Sequence, residues 1–124
     1  MQDEPTPTEL TKAVAAFLRD DIAPTLSGHT AFKLRVAINM LDLVGRQLSL
    51  QPASDAAEAA RLAQLLGMDG SLFELNRVLA GKIASGEINL QTPGLLQQLW
   101  QTTMDKLAVD QPTYASYRRE LGQK

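Results

Sequence analysis

The chain has no cysteine and a single histidine, and its 124 residues include only three Phe, two Tyr and one Trp. Without cysteine there is no disulfide, no thiol nucleophile and no thiolate-bound metal, a pattern that fits a reducing cytoplasm. His29 alone cannot assemble a zinc site, and no metal or cofactor is expected. No run approaches the roughly 18 apolar residues of a membrane span, and MQDEPTPTEL lacks a basic segment followed by an apolar one. The expectation is a soluble cytoplasmic protein that is not exported. Basic residues are not in excess: 12 Lys and Arg stand against 14 Asp and Glu, for a net charge of −2. They are also scattered, which argues against nucleic acid or an anionic membrane as a main partner.

What the chain does have is helical periodicity. Its length implies one domain, residues 1–124, with residues 1–5 expected to be disordered. In residues 31–51, AFKLRVAINMLDLVGRQLSLQ, apolar side chains placed at 100° per residue cover roughly two thirds of the helix circumference. They include Phe32, Val36, Met40, Val44, Leu48, Leu41 and Ile38, and so broad an apolar arc marks a helix packed on several sides. Before it, Thr6 and Glu9 form a capping box around Pro7, and Leu10, Val14, Phe17, Leu18 and Ile22 recur at helical spacing up to Pro24.

Pro52 is expected to close the central helix, over about 30–51. A third helix then runs over 55–66 to Gly67, with a thin apolar face of Ala59, Leu62, Leu65 and Leu66. Ser71 and Glu74 form a second capping box and open a fourth helix that ends at Gly86. Pro93 opens a fifth running to about Val109, whose inner arc is read as Leu95, Leu96, Leu99, Trp100, Met104 and Leu107. A short last helix carries Tyr114, Tyr117 and Leu121. No period-two alternation occurs, so the fold class is all-α: a compact antiparallel bundle of five to six helices around the central one.

Four polar residues, Arg35, Asn39, Asp42 and Arg46, lie one above another on the central helix. Arg35 and Arg46 offer two guanidinium forks to a carboxylate or phosphate on a partner or ligand, with Asp42 between them. The same strip also reads as a solvated edge, with Asp42 and Arg46 making an i, i+4 pair. Asn39 and Asn76 lie on or beside apolar faces and are expected to hydrogen-bond between helices. Lys106 falls on the apolar arc of the fifth helix, where its stem can snorkel and Asp110 can hold its ammonium; a reactive, desolvated amine is the sharper reading. Trp100, Tyr114 and Tyr117 form either an aromatic binding wall or the docking contacts of the last helix. No GxSxG, P-loop, HExxH or EF-hand pattern occurs, so no catalytic residue is assigned and an enzyme is hard to assemble.

The opening MQDEPT, the run from Phe32 through Asn39, Leu75-Asn76-Arg77, Ile83 with Gly86-Glu87, and KLAVDQPTY over 106–114 with Tyr117 resemble a bacterial family of small all-helical proteins of unknown function. The likeness covers nearly the whole chain. Members are commonly encoded beside aminoglycoside-phosphotransferase-like kinases and acyl-CoA dehydrogenases, so the resemblance implies an accessory role in acyl-CoA or hydroxy-acid catabolism. It carries no catalytic residue. The chain departs from the family pattern at Lys33, where a His often stands, and at Gly45, where a Glu is common. The expectation is a non-enzymatic accessory protein serving a kinase-like or acyl-CoA dehydrogenase partner. Its rival is a helical-bundle binder of a small acyl or phosphorylated ligand, and a homodimer is a further expectation.

Overall fold

The computed structural model describes residues 4–123, all of whose regular elements are helical. The disorder expected over residues 1–5 falls partly on residues 1–3, outside the described residues. The helices are α1 (Pro7–Phe17), α2 (Gly28–Leu66), α3 (Leu72–Ser85), α4 (Leu95–Asp110) and α5 (Ala115–Glu120). They divide into two compact units, Met1–Gln51 and Pro52–Lys124.

In the first unit the local signals work as they read. The Thr6 hydroxyl accepts from the Glu9 N–H at 3.2 Å, and the Glu9 carboxylate accepts from the Thr6 N–H at 3.0 Å. After Phe17 the chain widens into a π-helical turn, Leu18–Ile22, and tightens into a 3-10 turn, Ala23–Thr25. Pro24 has no N–H to continue the ladder. The first part of α2 then returns antiparallel to α1: the hydroxyl of Thr11 lies 3.2 Å from where a Cβ on Gly45 would sit, and Arg19 reaches Asp42. Between the two helices only Ala15, Ile38 and Gly45 are buried.

The second unit has the larger core. Leu62 of α2, Leu75 and Leu79 of α3, Ile88 of the following loop and Leu95 of α4 form one buried cluster, with Ala59, Leu65, Leu66 and Leu72 packed around it. Gly67 ends α2 with φ 65°, its N–H and that of Met68 both donating to the Ala63 carbonyl. The Ser71 hydroxyl caps α3 by accepting from the Glu74 N–H, and Gly86 ends α3 in the left-handed region.

Two expectations need correction. Pro52 does not close the central helix: α2 runs through it for 39 residues and absorbs the separate helix expected over 55–66. Proline removes one N–H and crowds one carbonyl, a local cost that a long helix with packed flanks can absorb. The boundary between the two units nonetheless falls at this residue. The inner face of α4 also differs. Leu95, Gln98 and Val109 are buried and Thr102 and Asp105 half-buried, whereas Leu96, Leu99 and Trp100 are exposed. Leu95, Gln98, Thr102, Asp105 and Val109 follow the 3-4-3-4 spacing of an inward seam. Polar side chains face inward here because Arg61 on α2 supplies them with partners.

Replacing Pro52 by Ala restores one backbone donor inside α2, and Pro52→Ala is expected to raise the unfolding free energy by about 1–3 kcal/mol in urea titration. A loss of stability would show that the proline ring makes a required contact.

Candidate functional site

The sequence strip on α2 meets α1 in a cleft of about 360 Å³ lined by Thr8, Thr11, Lys12, Leu41, Asp42, Gly45, Arg46, Ser49 and Leu50. Gly45 forms the close approach that makes the cleft floor, since a side chain there would meet Thr11. Asp42 is bridged across the hairpin by Arg19, Nη2 to Oδ2 at 2.8 Å. With half of the Arg19 side chain and 38% of that of Asp42 exposed, solvent screens the pair strongly. Lys12 adds a second cation to the cleft beside Arg46. Arg35, two turns before Asp42, is exposed, lines no described cleft and has no ion pair among the described residues. The strip is therefore divided: Asp42 and Arg46 enter the cleft with Lys12, and Arg35 and Asn39 stay on the open surface.

The opposite side of the hairpin is apolar. Leu10, Val14 and Phe17 lie on one line of α1, on the far side from Lys12. On α2, Val44 and Leu48 follow beside them, and Val36, Met40 and Phe32 continue round the back. All of these are exposed, Met40 to 61%. His29 stacks on Phe32, ring centroids 6.5 Å apart, and covers only part of it. Eight exposed apolar side chains thus lie on these faces of the two helices.

The second unit holds a polar cluster that the sequence reading missed. Gln98, 3% exposed, accepts from Arg61 Nε at 2.6 Å and donates its amide to Thr102 Oγ1 at 3.0 Å. Arg61 Nη2 lies 3.5 Å from Thr102 Oγ1 and 3.9 Å from Asp105 Oδ2, and Gln101 donates to Asp105 at 2.9 Å. Arg61 lines two clefts, one with Ser54, Gln101 and Asp105 and one with Gln64, Thr92 and Gln98; Gln97 lines both. The signal available in the sequence was the seam spacing from Leu95 to Val109, set against a lone arginine on the Ala-rich second half of α2.

The remaining candidates do not gather. Asn39 is exposed and makes no hydrogen bond among the described residues. Asn76, also exposed, donates across to Glu58 of α2 at 3.2 Å and back to the Leu72 carbonyl at 3.1 Å. Lys106 and Asp110 are exposed with no bond between them. Trp100 and Tyr114 are exposed and Tyr117 is half-buried, with no ring contact among the three. No group of three or more metal-ligating side chains occurs among the described residues, and none of their helices is long and apolar enough to cross a membrane.

Gly45→Leu is expected to cost about 1–3 kcal/mol by forcing α1 and α2 apart, and Thr11→Ala in the same chain to recover part of that loss. Thermal unfolding of the two variants reads it; a Gly45→Leu protein as stable as the parent would contradict the close approach.

The chain matches no curated protein and no solved structure. A family model does match, over residues 24–114, which take in α2, α3 and α4 and leave α1 outside. The chain belongs to DUF6285, a family whose domain is of unknown function.

Proposed function

We propose that this protein is a cytoplasmic, non-enzymatic interaction module that holds a protein partner on the apolar side of its first unit. The observation that carries the reading is the line Leu10, Val14 and Phe17 running beside Val44 and Leu48, exposed on both helices of one hairpin. Two helices in contact bury one face each, and residues at i, i+4 and i+7 on a second face call for a third surface. Arg35 and Arg46 border the α2 part of this arc and favour a partner with carboxylates at the rim. The resemblance to bacterial proteins encoded beside kinase-like and acyl-CoA dehydrogenase genes supplies the class of partner, and a role in acyl-CoA or hydroxy-acid catabolism follows from it. A partner helix laid along the hairpin would complete an antiparallel bundle.

A second reading rests on the cleft beside Gly45. Lys12, Arg46 and the hydroxyls of Thr8 and Ser49 line a space of about 360 Å³ suited to the charged end of a small acyl or phosphorylated ligand. Stabilisation of the protein by acyl-CoAs or phosphorylated acids in a thermal-shift series supports this reading, because binding raises stability by mass action; no shift at millimolar ligand removes it.

Affinity purification of the tagged protein from its native host separates the readings. The interaction module predicts stoichiometric recovery of a kinase-like or acyl-CoA dehydrogenase protein, lost in a Val14→Lys, Val44→Lys double variant of unchanged helix content. Recovery of the parent protein alone under mild conditions contradicts it. Within the same experiment, Arg35→Ala with Arg46→Ala is expected to weaken capture about tenfold, the worth of a lost charge-assisted contact.

A further inference from the structure

Both hydrogen bonds of Arg61 use one edge of its guanidinium, and its ion pair with Asp105 is long, Nη2 to Oδ2 3.9 Å. Its Nε donates to Gln98 at 2.6 Å and its Nη2 lies toward Thr102 at 3.5 Å, so the side-on edge of the guanidinium faces α4. The bond from the Gln98 amide to Thr102 fixes the acceptor oxygen of Gln98 toward Arg61 and orients the fork. Nη1 has no partner among the described residues. The end-on edge, made by Nη1 and the second hydrogen of Nη2, makes no hydrogen bond among the described residues. That edge presents two parallel N–H bonds at the spacing of the two oxygens of a carboxylate.

Arg61 also lines an open cleft within the second unit. The guanidinium-bearing side chain is 26% exposed and lines a cleft of about 700 Å³, within the range of small-molecule sites. Gln64 and Gln97 line the same cleft and make no hydrogen bond among the described residues, so their amides are available as donors. The Thr92 hydroxyl accepts from the Asn89 N–H at 3.0 Å, which leaves its hydrogen for an acceptor in the cleft. Leu65 and Pro93 give the wall an apolar part.

We propose that this cleft binds a small aliphatic monocarboxylate, its carboxylate on the Nη1/Nη2 edge of Arg61 and its short chain against Leu65 and Pro93. Charge selects a monoanion. The cleft contributes one cation, and Asp105 Oδ2, 3.9 Å from Nη2, opposes a second negative charge. The remaining donors, Gln64, Gln97 and Thr92, are neutral, and they add hydrogen bonds to a carboxylate without the charge that a phosphate dianion needs. The site lies wholly in the second unit and stands independently of the hairpin surface.

The test is a titration of the ¹⁵N-labelled full chain with sodium hexanoate, followed by amide and side-chain NMR at constant ionic strength, with hexanamide and sodium phosphate as parallel titrants. Saturable shifts of the Gln64 and Gln97 side-chain amides and of the Arg61 Nε signal are expected with hexanoate alone. Arg61→Gln should weaken binding about tenfold or more, the factor associated with a lost charge-assisted pair. Because that substitution also removes the partner of Gln98, the Gln64→Leu, Gln97→Leu double variant serves as the second probe; both positions are exposed, and severalfold weaker binding with unchanged helix content is expected. The proposal is overturned by the absence of saturation with hexanoate, by equal shifts with hexanamide, by tighter binding of phosphate, or by full affinity in either folded variant.

Discussion

The apolar residues of α2 between Phe32 and Leu48 occupy more of the helix than α1 can cover. A neighbouring helix contacts a stripe roughly 100° wide, and the stripe facing α1 is taken up by Ile38, Gly45 and the half-buried Leu34 and Leu41. Val36, Met40, Val44 and Leu48 lie outside that stripe, and α1 shows the same division, with Ala15 inward and Leu10, Val14 and Phe17 outward. Gly45 lets the helices approach closely, but a close contact of small residues buries little apolar area. The hairpin consequently has a polar side with the Arg19–Asp42 bridge and an apolar side without a neighbour of its own.

The second unit solves the opposite problem. Its core has enough leucine around Leu62 to bury α3 and the start of α4, and it can therefore carry polar residues on an inward seam. An amide buried as deeply as that of Gln98 requires partners, and Arg61 and Thr102 meet that requirement. No buried side-chain nitrogen or oxygen atom among the described residues is left without a hydrogen bond. The cost of placing a guanidinium there is reduced by its remaining contact with solvent, its side chain being 26% exposed, and by the Asp105 carboxylate 3.9 Å away.

Much of the fold was legible because helix ends are written locally. Thr6 with Glu9, Ser71, Gly67 and Gly86 act through backbone groups within four residues, and each stands where its chemistry places it. Pro52 obeys a local rule too, yet the helix continues, because the ring removes one bond and crowds one carbonyl while the turns on either side keep their own bonds. The inner face of α4 holds Leu95, Met104 and Leu107 of the expected arc but not Leu96, Leu99 and Trp100, for a different reason. Counting apolar atoms favours Leu96, Leu99 and Trp100, but a polar side chain turns inward when another helix brings a partner, and Arg61 is 37 residues from Gln98. Arg19 and Asp42, 23 residues apart, were likewise invisible as a pair until α1 was laid on α2. The candidate strip was legible as a line on one helix. That Arg46 enters a cleft and Arg35 does not depends on which part of that line α1 reaches.

The DUF6285 family match spans residues 24–114, and the function proposed for the chain is read from its physical chemistry. That function rests on whether the apolar side of the hairpin is covered when the protein acts. Hydroxyl-radical footprinting of Phe17, Phe32 and Met40, all more than half exposed in the isolated chain, measures this directly in the purified protein and in the assembly isolated from its native host. The account predicts ready oxidation of all three in the purified protein and strong protection in the assembly. Equal oxidation in the two samples would contradict it.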